Sequence, residues 1–290
     1  MMKKKMKKMK ENRERRLTAD RFDYSLEYLD LCSEEPGIWG DPHIRRWSGT
    51  KYDFHGACDL MLLQNPDFQN DLGMEIQVRT AQIKQFSYVS SAVLRIGIDT
   101  LEVMGDDDEN MYWINSTPDD MCDGVIGFIS AYPILCKKAN SKQYEFKVDV
   151  GETTSIIIKT FKNIVSVSIR GARREDFGAS RGLLGSYGTG QMIGRDNTTV
   201  FEDSNAFSQE WQVLEDEDML FHDLEEPQGP TGCNMPLEST TFRRRLQESD
   251  ISHEEAQIVC SRVSPGYFDT CVFDVIATGD NDIVEAYRSM

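Results

Sequence analysis

The chain has 290 residues, of which 39% are hydrophobic, enough for the core of one large or two modest domains. Its formal net charge is −17, because 49 Asp and Glu outnumber 32 Lys and Arg. This balance argues against a nucleic-acid-binding body and suits divalent cations, high salt or plain solubility. The sequence contains no apolar run of about 18 residues and therefore predicts no membrane-spanning helix.

Residues 1–37 are predicted to be a basic and polar N-terminal segment. Residues 1–16 hold nine Lys and Arg against two Glu, a local balance of +7 that leaves −24 for the rest of the chain. This start lacks the apolar core of a signal peptide, whereas seven cysteines suit an oxidising compartment better than a cytosol. We therefore expect either that the true N-terminus lies upstream or that residues 1–16 are a disordered basic tail on an incomplete chain, and we favour an incomplete or mispredicted start.

The most specific pattern of the chain comes next. Residues 40–43 read Gly-Asp-Pro-His, an aromatic-x-Gly turn follows at Trp47 and Gly49, and residues 52–58 read Tyr-Asp-Phe-His-Gly-Ala-Cys. The four-residue motif alone is weak, but the three elements in register resemble the opening of a von Willebrand factor type D (VWD) domain. That family builds extracellular assemblies and adhesive layers, and in general does not turn over small molecules.

Strand signals dominate the middle of the chain. Apolar residues alternate with polar ones in four segments, which places one face of each strand on a core. Many short strands at this spacing predict a mainly β fold, an antiparallel β-sandwich or barrel-like double sheet. The acidic run at 106–110 is expected to be a solvated turn between strands. The alternating residues are Met74, Ile76 and Val78; Ala92, Leu94, Ile96 and Ile98; Tyr144, Phe146, Val148 and Val150; and Val165, Val167 and Ile169.

The second half of the resemblance lies further along the chain. Residues 182–187 read Gly-Leu-Leu-Gly-Ser-Tyr and resemble the Gly-Leu-Cys-Gly-Asn-aromatic segment of the family. Residues 195–213, which end in Trp-Gln-Val, resemble its closing strands. Together these motifs imply a VWD-like domain over residues 38–233.

The resemblance also implies a calcium site. In the family, the Asp of Gly-Asp-Pro-His combines with Asn and Asp residues of the second segment. Here Asp41 is present, but Ser186 and Gly188 occupy the positions where Asn and Asp are expected. Asp196 and Asn197 could supply the missing oxygens only if the loop folds back. The alternative is that the protein binds no cofactor.

A covalent reaction is also implied, because some type D domains break the bond between Asp and Pro of this motif. Here the bond is Asp41–Pro42, and His43 follows it. The Asp41 carboxyl could attack its own carbonyl carbon, while acid protonates the departing Pro42 nitrogen. The alternative is that residues 40–43 form a tight turn in which His43 is a structural hydrogen-bonding residue.

Two family disulfides bear on the cysteines. The first implies a bridge between Cys58 and Cys233, just beyond the closing Trp. The second would join a Cys in residues 35–38 to one at position 184, but the first stretch has no Cys and the second position is Leu184. Since both ends are missing together, Leu184 is expected to fill the space by packing.

The other cysteines are assigned by their spacing. Cys122 and Cys136 are close enough in sequence to close one loop, and Cys260 with Cys271 would staple a helical hairpin. Cys32 is left over, either free or joined to another chain.

The chain ends in a linker and a helical module. Residues 234–250 are predicted to be the linker, in which Arg243–Arg245 is a solvated loop or a site for a basic-specific protease. Residues 251–290 begin with the capping-box pattern of Ser252 to Glu255. Two apolar stripes at helical spacing follow and predict two helices. Their members are Ala256, Val259, Cys260 and Val263, and then Phe268, Cys271, Val272, Val275 and Ile276.

The expected function follows from these patterns. The sequence has no HxxxH, CxxC or P-loop pattern, so we expect no zinc site, no catalytic residues and no enzyme. Asn115 and Asn197 begin sequons that permit N-glycosylation of a secreted protein. We expect an extracellular or cell-surface structural and adhesive protein that contacts other extracellular proteins, glycans or a second copy. The alternative is a self-processing domain cleaved at Asp41–Pro42.

Overall fold

The computed structural model describes residues 35–83, 86–105, 111–140, 142–224, 233–235 and 251–288. All of them belong to one compact unit, Glu35–Met290. Cys32, the acidic run at 106–110 and Arg243–Arg245 lie outside the described residues, as does most of the predicted linker.

The described residues form fourteen strands in two antiparallel sheets. Within each sheet every hydrogen-bonded pair is antiparallel, so the fold is mainly β and sandwich-like, as the alternating pattern predicts. The first sheet contains, in spatial order, β10 (Gly124–Ile129), β11 (Tyr132–Asn140), β12 (Gln143–Asp149), β13 (Ser155–Phe161), β14 (Ile164–Arg170), β1 (Gly37–Trp39), β2 (His43–Arg45) and β3 (Lys51–Asp53). The second contains β4 (Asp59–Asn65), β5 (Met74–Ile83), β6 (Phe86–Ile96), β7 (Asp99–Met104), β8 (Met111–Ile114) and β9 (Thr117–Asp119).

Alternation along the strands fills the core between the sheets. Ile76, Leu94 and Val167 are fully buried or nearly so, and most members of the four alternating segments are buried with them. Ile98 is the exception, because β6 ends at Ile96 and residue 98 lies in the turn before β7, where it is 94% exposed. The prediction that Ile98 faces the core is therefore wrong.

Residues 182–187, which carry the second half of the resemblance, pack against β4. Gly182 has φ +126°, and a Cβ there would lie 2.6 Å from the Leu62 carbonyl oxygen, so only glycine allows this approach. Leu184 is fully buried in the core, as expected for a residue that fills space by packing. Trp211 is also fully buried, and its carbonyl accepts a hydrogen bond from the Met61 amide at 2.8 Å.

Six short helices complete the described chain. Three belong to the loops of the sandwich and three form the C-terminal module, which is defined here as residues 251–288. None is long and apolar enough to span a membrane among the residues that the structure describes. The helices are α1 (Phe68–Asp71), α2 (Arg174–Phe177), α3 (Ser204–Glu210), α4 (His253–Cys260), α5 (Phe268–Thr278) and α6 (Val284–Arg288), with 3₁₀ turns at Pro265–Tyr267 and Asn281–Ile283.

The C-terminal module begins with the predicted capping box. The Ser252 hydroxyl accepts from the Glu255 amide at 3.2 Å, and the Glu255 carboxylate accepts from the Ser252 amide at 2.9 Å. Behind this cap, Cys260 and Cys271 are fully buried and joined by a disulfide between α4 and α5. The predicted disulfide-stapled helical hairpin is present.

Two further disulfides lie in the sandwich. Cys58 is joined to Cys233 across 175 residues, and Cys122 is joined to Cys136 across 14. These are the pairs that the sequence predicts. The long bridge ties the start of β4 to the segment that follows the closing Trp, and Ala57 and Asn234 exchange backbone hydrogen bonds beside it.

The C-terminal module packs on the first sheet and the end of β1. A second apolar cluster joins residues of the module, including Val275 and Tyr287, to Trp39 of β1 and Phe161 of β13. Because β1 lies between β14 and β2, this contact places the module beside the turn that carries the Gly-Asp-Pro-His motif.

Candidate functional site

The candidate site is the turn formed by residues 40–43, here called the GDPH turn. Trp39, the last residue of β1, pairs with His43, the first residue of β2, so residues 40–42 make the connection between the two strands. Gly40 has φ +60°, and a Cβ on it would lie 2.4 Å from Asp274 Oδ2 and 2.6 Å from the Tyr287 hydroxyl oxygen. Both backbone conformation and space therefore require glycine at this position.

Asp41 is fully buried in this turn. Its Oδ1 accepts a hydrogen bond from Nδ1 of His55 at 2.8 Å, whereas its Oδ2 is buried without a hydrogen-bond partner. Burial raises the pKa of Asp41, and the hydrogen bond from His55 offsets part of that rise. One carboxylate oxygen is thus held by an imidazole, and the other remains unused beside the Asp41–Pro42 bond.

His43 lies on the other side of the same bond, with a carboxylate opposite each ring nitrogen. Nδ1 is 2.7 Å from Asp53 Oδ1, and Nε2 is 3.4 Å from Asp274 Oδ1. Burial alone would lower the pKa of His43, but the hydrogen bonds to Asp274 and Asp53 outweigh it and raise this pKa to about 10. The ring is therefore an imidazolium at neutral pH and donates to both carboxylates.

Asp274 comes from α5 and is fully buried. Its Oδ2 accepts a hydrogen bond from the hydroxyl of Tyr287, which follows in α6 and is also buried. Burial, followed by the nearby Asp274 carboxylate, raises the pKa of Tyr287 well above its ordinary value, so the phenol stays protonated and remains a donor.

Cationic side chains of β2 and β3 also contact the module. The guanidinium carbon of Arg45 lies 4.9 Å from the centroid of the Trp39 ring and 4.6 Å from that of the Tyr267 ring. Nη1 of Arg45 donates to the Tyr267 hydroxyl at 3.0 Å, and Lys51 donates to the Gly266 carbonyl. These contacts fix the module to the two strands that follow the GDPH turn.

The residues of the implied calcium set have separate partners. Both carboxylate oxygens of Asp196 are engaged by the amides and hydroxyls of Thr198 and Thr199, and Asn197 Oδ1 accepts from Arg181 at 3.2 Å. Among the described residues, no contact joins either to Asp41, and no group of three His, Cys, Asp or Glu side chains could hold a metal. Calcium binding by Asp41, Asp196 and Asn197 together stays a prediction.

The two sequons lie on exposed turns. Asn115 and Asn197 both have positive φ, at 51° and 59°. The side-chain nitrogen of Asn115 donates to Asp99 at 3.0 Å. N-glycosylation at both positions stays a prediction.

Four residues of the site were missed in the sequence: Asp53, His55, Asp274 and Tyr287. A signal existed for the first, because a β2–β3 hairpin pairs His43 with Asp53. A signal also existed for Asp274, which is a charged residue three positions after Cys271 on the apolar stripe of a helix. Only the packing of the module, which local patterns do not encode, brings Tyr287 to the turn.

No protein-family model matches the chain, and a search of curated proteins finds no match either. The resemblance to type D domains therefore rests on the sequence motifs.

Proposed function

We propose that the chain is a non-catalytic structural and adhesive part of an extracellular or cell-surface protein that acts through protein–protein or protein–glycan contacts. The three disulfides carry this proposal, because such bonds form and persist in oxidising compartments and are rare in the cytosol. In the chain-entropy model the long Cys58–Cys233 bridge alone stabilises by about 3–5 kcal/mol. A chain whose stability depends on disulfides is suited to the oxidising conditions outside the cell.

The edge of the first sheet supports a protein partner. β10 is the terminal strand of that sheet, and Val125 and Phe128 on it are 55% and 59% exposed. Met121, just before the strand, is 70% exposed. A terminal strand with apolar side chains offers both backbone hydrogen bonds and apolar area to an incoming chain.

Expression of the gene through the secretory pathway, and in parallel in the cytosol, tests the location. We expect secreted protein in which Cys58, Cys122, Cys260 and their partners resist thiol labelling until a reductant is added. The variant C122A/C136A serves as the control, because it removes a short bridge and leaves the long one. A native protein recovered only in the cytosol with reduced thiols would contradict the proposal.

We infer a second candidate function, self-processing at Asp41–Pro42, from the buried and unpartnered Oδ2 of Asp41. This oxygen attacks the carbonyl carbon of its own residue and closes a five-membered cyclic anhydride, while the bond to the Pro42 nitrogen breaks. The nitrogen takes a proton from the acidic medium and leaves as an amine. Water then opens the anhydride and gives Asp41 a free α-carboxyl group, so the net reaction adds one water molecule.

The surroundings of Asp41 favour this step. The hydrogen bond from His55 and the positive charge of His43 favour the ionised carboxylate that must attack, against the burial that raises its pKa. Because the attacking group must be ionised and the leaving nitrogen must gain a proton, we expect a bell-shaped dependence of the cleavage rate on pH.

Mass spectrometry after incubation at about pH 5, where acid and carboxylate coexist, tests the reaction. We expect a fragment that begins at Pro42, and we expect its loss in D41N, which removes the attacking carboxylate. Asp119, an exposed carboxylate, provides the control variant D119N. An intact wild-type chain under these conditions would remove self-processing and leave the structural function untouched.

A further inference from the structure

Asp274 and Tyr287 touch the GDPH turn on both sides of the Asp41–Pro42 bond. On the N-terminal side they face Gly40, where a Cβ would collide with Asp274 Oδ2 and the Tyr287 hydroxyl. On the C-terminal side Asp274 Oδ1 faces Nε2 of His43 at 3.4 Å. The C-terminal module therefore contacts the residue before Asp41 and the residue after Pro42.

The pair is held rigidly within the module. Both side chains are buried, at 0% and 2% exposure, and the phenol donates its hydrogen bond to the Asp274 carboxylate. Cys271 lies one helical turn before Asp274, and its disulfide ties α5 to α4. The carboxylate is thus fixed by three restraints: the helix, the disulfide and the tyrosine.

A buried carboxylate is costly unless charged and hydrogen-bonding partners compensate it. Here the compensation comes from His43 and Tyr287, and Asp53 shares the same imidazolium from β3. Asp41 and His55 form a second carboxylate–imidazole pair beside them. An apolar residue at position 274 could pack there without this cost, so the arrangement points to a role for the carboxylate at the turn.

We propose that Asp274 is a positioning residue for cleavage of the Asp41–Pro42 bond. Together with Tyr287 it holds Gly40 and His43, and so fixes the turn in the conformation that presents the Asp41 carboxylate to its own carbonyl carbon. The site is then composite: the sandwich supplies the reacting residues and the C-terminal module supplies their alignment. This inference rests on the proposed self-processing function.

Comparison of D274N with D269N tests the role. Asp269 lies on the same helix and is exposed, so its substitution makes the same chemical change away from the turn. We expect D274N to lower the first-order rate constant of cleavage about 10- to 100-fold, because loss of alignment by an ångström costs on that order. Y287F should lower it less, since the carboxylate remains, and D269N should leave it unchanged.

A spectroscopic measurement separates positioning from folding. In ¹⁵N NMR spectra of the uncleaved D41N chain, both ring N–H groups of His43 should be protected from exchange with solvent. Adding D274N should expose the Nε2 proton and leave the Nδ1 proton, which faces Asp53, protected. If D274N prevents folding, Y287F tests the alignment through the cleavage rate, because it removes the hydrogen bond to Asp274 and leaves the carboxylate in place.

The outcomes distinguish this role from the reaction itself. A wild-type chain that never yields the Pro42 fragment overturns both self-processing and the role of Asp274. A wild-type chain that cleaves while D274N and Y287F cleave as fast as D269N overturns only the role of Asp274. Slow cleavage of D274N with an unchanged His43 Nε2–H signal also overturns it, because alignment through His43 would then be absent.

Discussion

The core between the two sheets and the interface beneath the C-terminal module are both buried, but different groups fill them. The core cluster is apolar and draws on both sheets, as where Tyr112 of β8 meets Phe146 of β12 with ring centroids 5.3 Å apart. The interface combines apolar contacts with the buried groups Asp41, His43 and Asp274. Apolar burial is non-directional, whereas a buried charge depends on each of its partners. We therefore expect the core to determine most of the free energy of unfolding. The interface should determine how that free energy depends on pH and how easily the module opens locally.

The largest expected effect is in the core. Phe146→Ala removes a buried aromatic ring that links the sheets and should lower the free energy of unfolding by about 3–5 kcal/mol. Because packing alone is lost, this loss should be the same at pH 6 and at pH 9. Urea denaturation at both pH values measures it. Phe146→Leu, which keeps most of the volume, is the control and should lose less. A loss that changes with pH would break the distinction between the two regions.

An intermediate effect is expected at the interface. Gly40→Ala forces an L-residue to φ +60° and drives its Cβ toward Asp274 and Tyr287. We expect a cost of about 1–3 kcal/mol, expressed as local opening of the module while the sandwich stays folded. Hydrogen exchange measured by mass spectrometry should therefore speed up in α5 and remain slow in β13.

Gly124→Ala is the matched control for that measurement. Gly124 also has a positive φ, at 77°, but no atom lies within 4 Å of a Cβ placed there. It therefore imposes the same backbone strain without the collision. Faster exchange of α5 in the Gly124 variant, or equal acceleration of β13 in the Gly40 variant, would show that the module and the sandwich open as one unit.

A smaller effect concerns pH. The pKa of His43 is raised in the folded chain, so its contribution to stability is complete below the unfolded value of about 6.5 and disappears as the pH rises toward 10. The difference in free energy of unfolding between wild type and H43Q should therefore be largest near pH 6 and shrink by pH 10. Asp53 has a lowered pKa, so its contribution is lost instead on the acid side. Urea titrations of both chains across this range measure the difference, and a constant difference would show that the ion pairs of His43 add nothing.

The smallest effect on stability is expected at the exposed edge. Phe128→Lys changes an exposed side chain of β10 and should alter the free energy of unfolding by no more than about 0.5 kcal/mol. The same change should weaken any self-association or adhesion that uses this edge, measured by sedimentation velocity and by cell-surface binding. Val200→Lys changes an equally exposed apolar residue elsewhere and serves as the control. Equal binding by both variants would move the contact surface away from β10.

Much of the sandwich could be predicted because its information is local. Alternation in segments such as 74–78 and 165–169 identifies a buried face within a few residues, and the disulfide pairs followed from the motif and from short spacing. Ile98 failed because alternation cannot tell where a strand ends and a turn begins. Ile98 is exposed because it lies in the turn between β6 and β7, where alternation no longer applies.

The site was harder to predict because its members are distant in sequence. His43 and Asp274 are 231 residues apart and meet only through the docking of the module. The implied calcium set stays a prediction: both oxygens of Asp196 accept hydrogen bonds within its own turn, from Thr198 and Thr199, which residue type alone does not indicate. Residue type indicated which polar side chains could form a site, but it could not assign their hydrogen-bond partners.

The position of β1 has a consequence for any chain cut after Asp41. This strand is hydrogen-bonded to β14 on one side and to β2 on the other, and Ile38 and Trp39 on it are buried in the two apolar clusters. A cut at the turn would remove a covalent link but none of these contacts. The two pieces would then migrate together in size-exclusion chromatography and separate only in denaturant, so the protein would carry a nick that is invisible under native conditions and would gain a new chain end beneath the module.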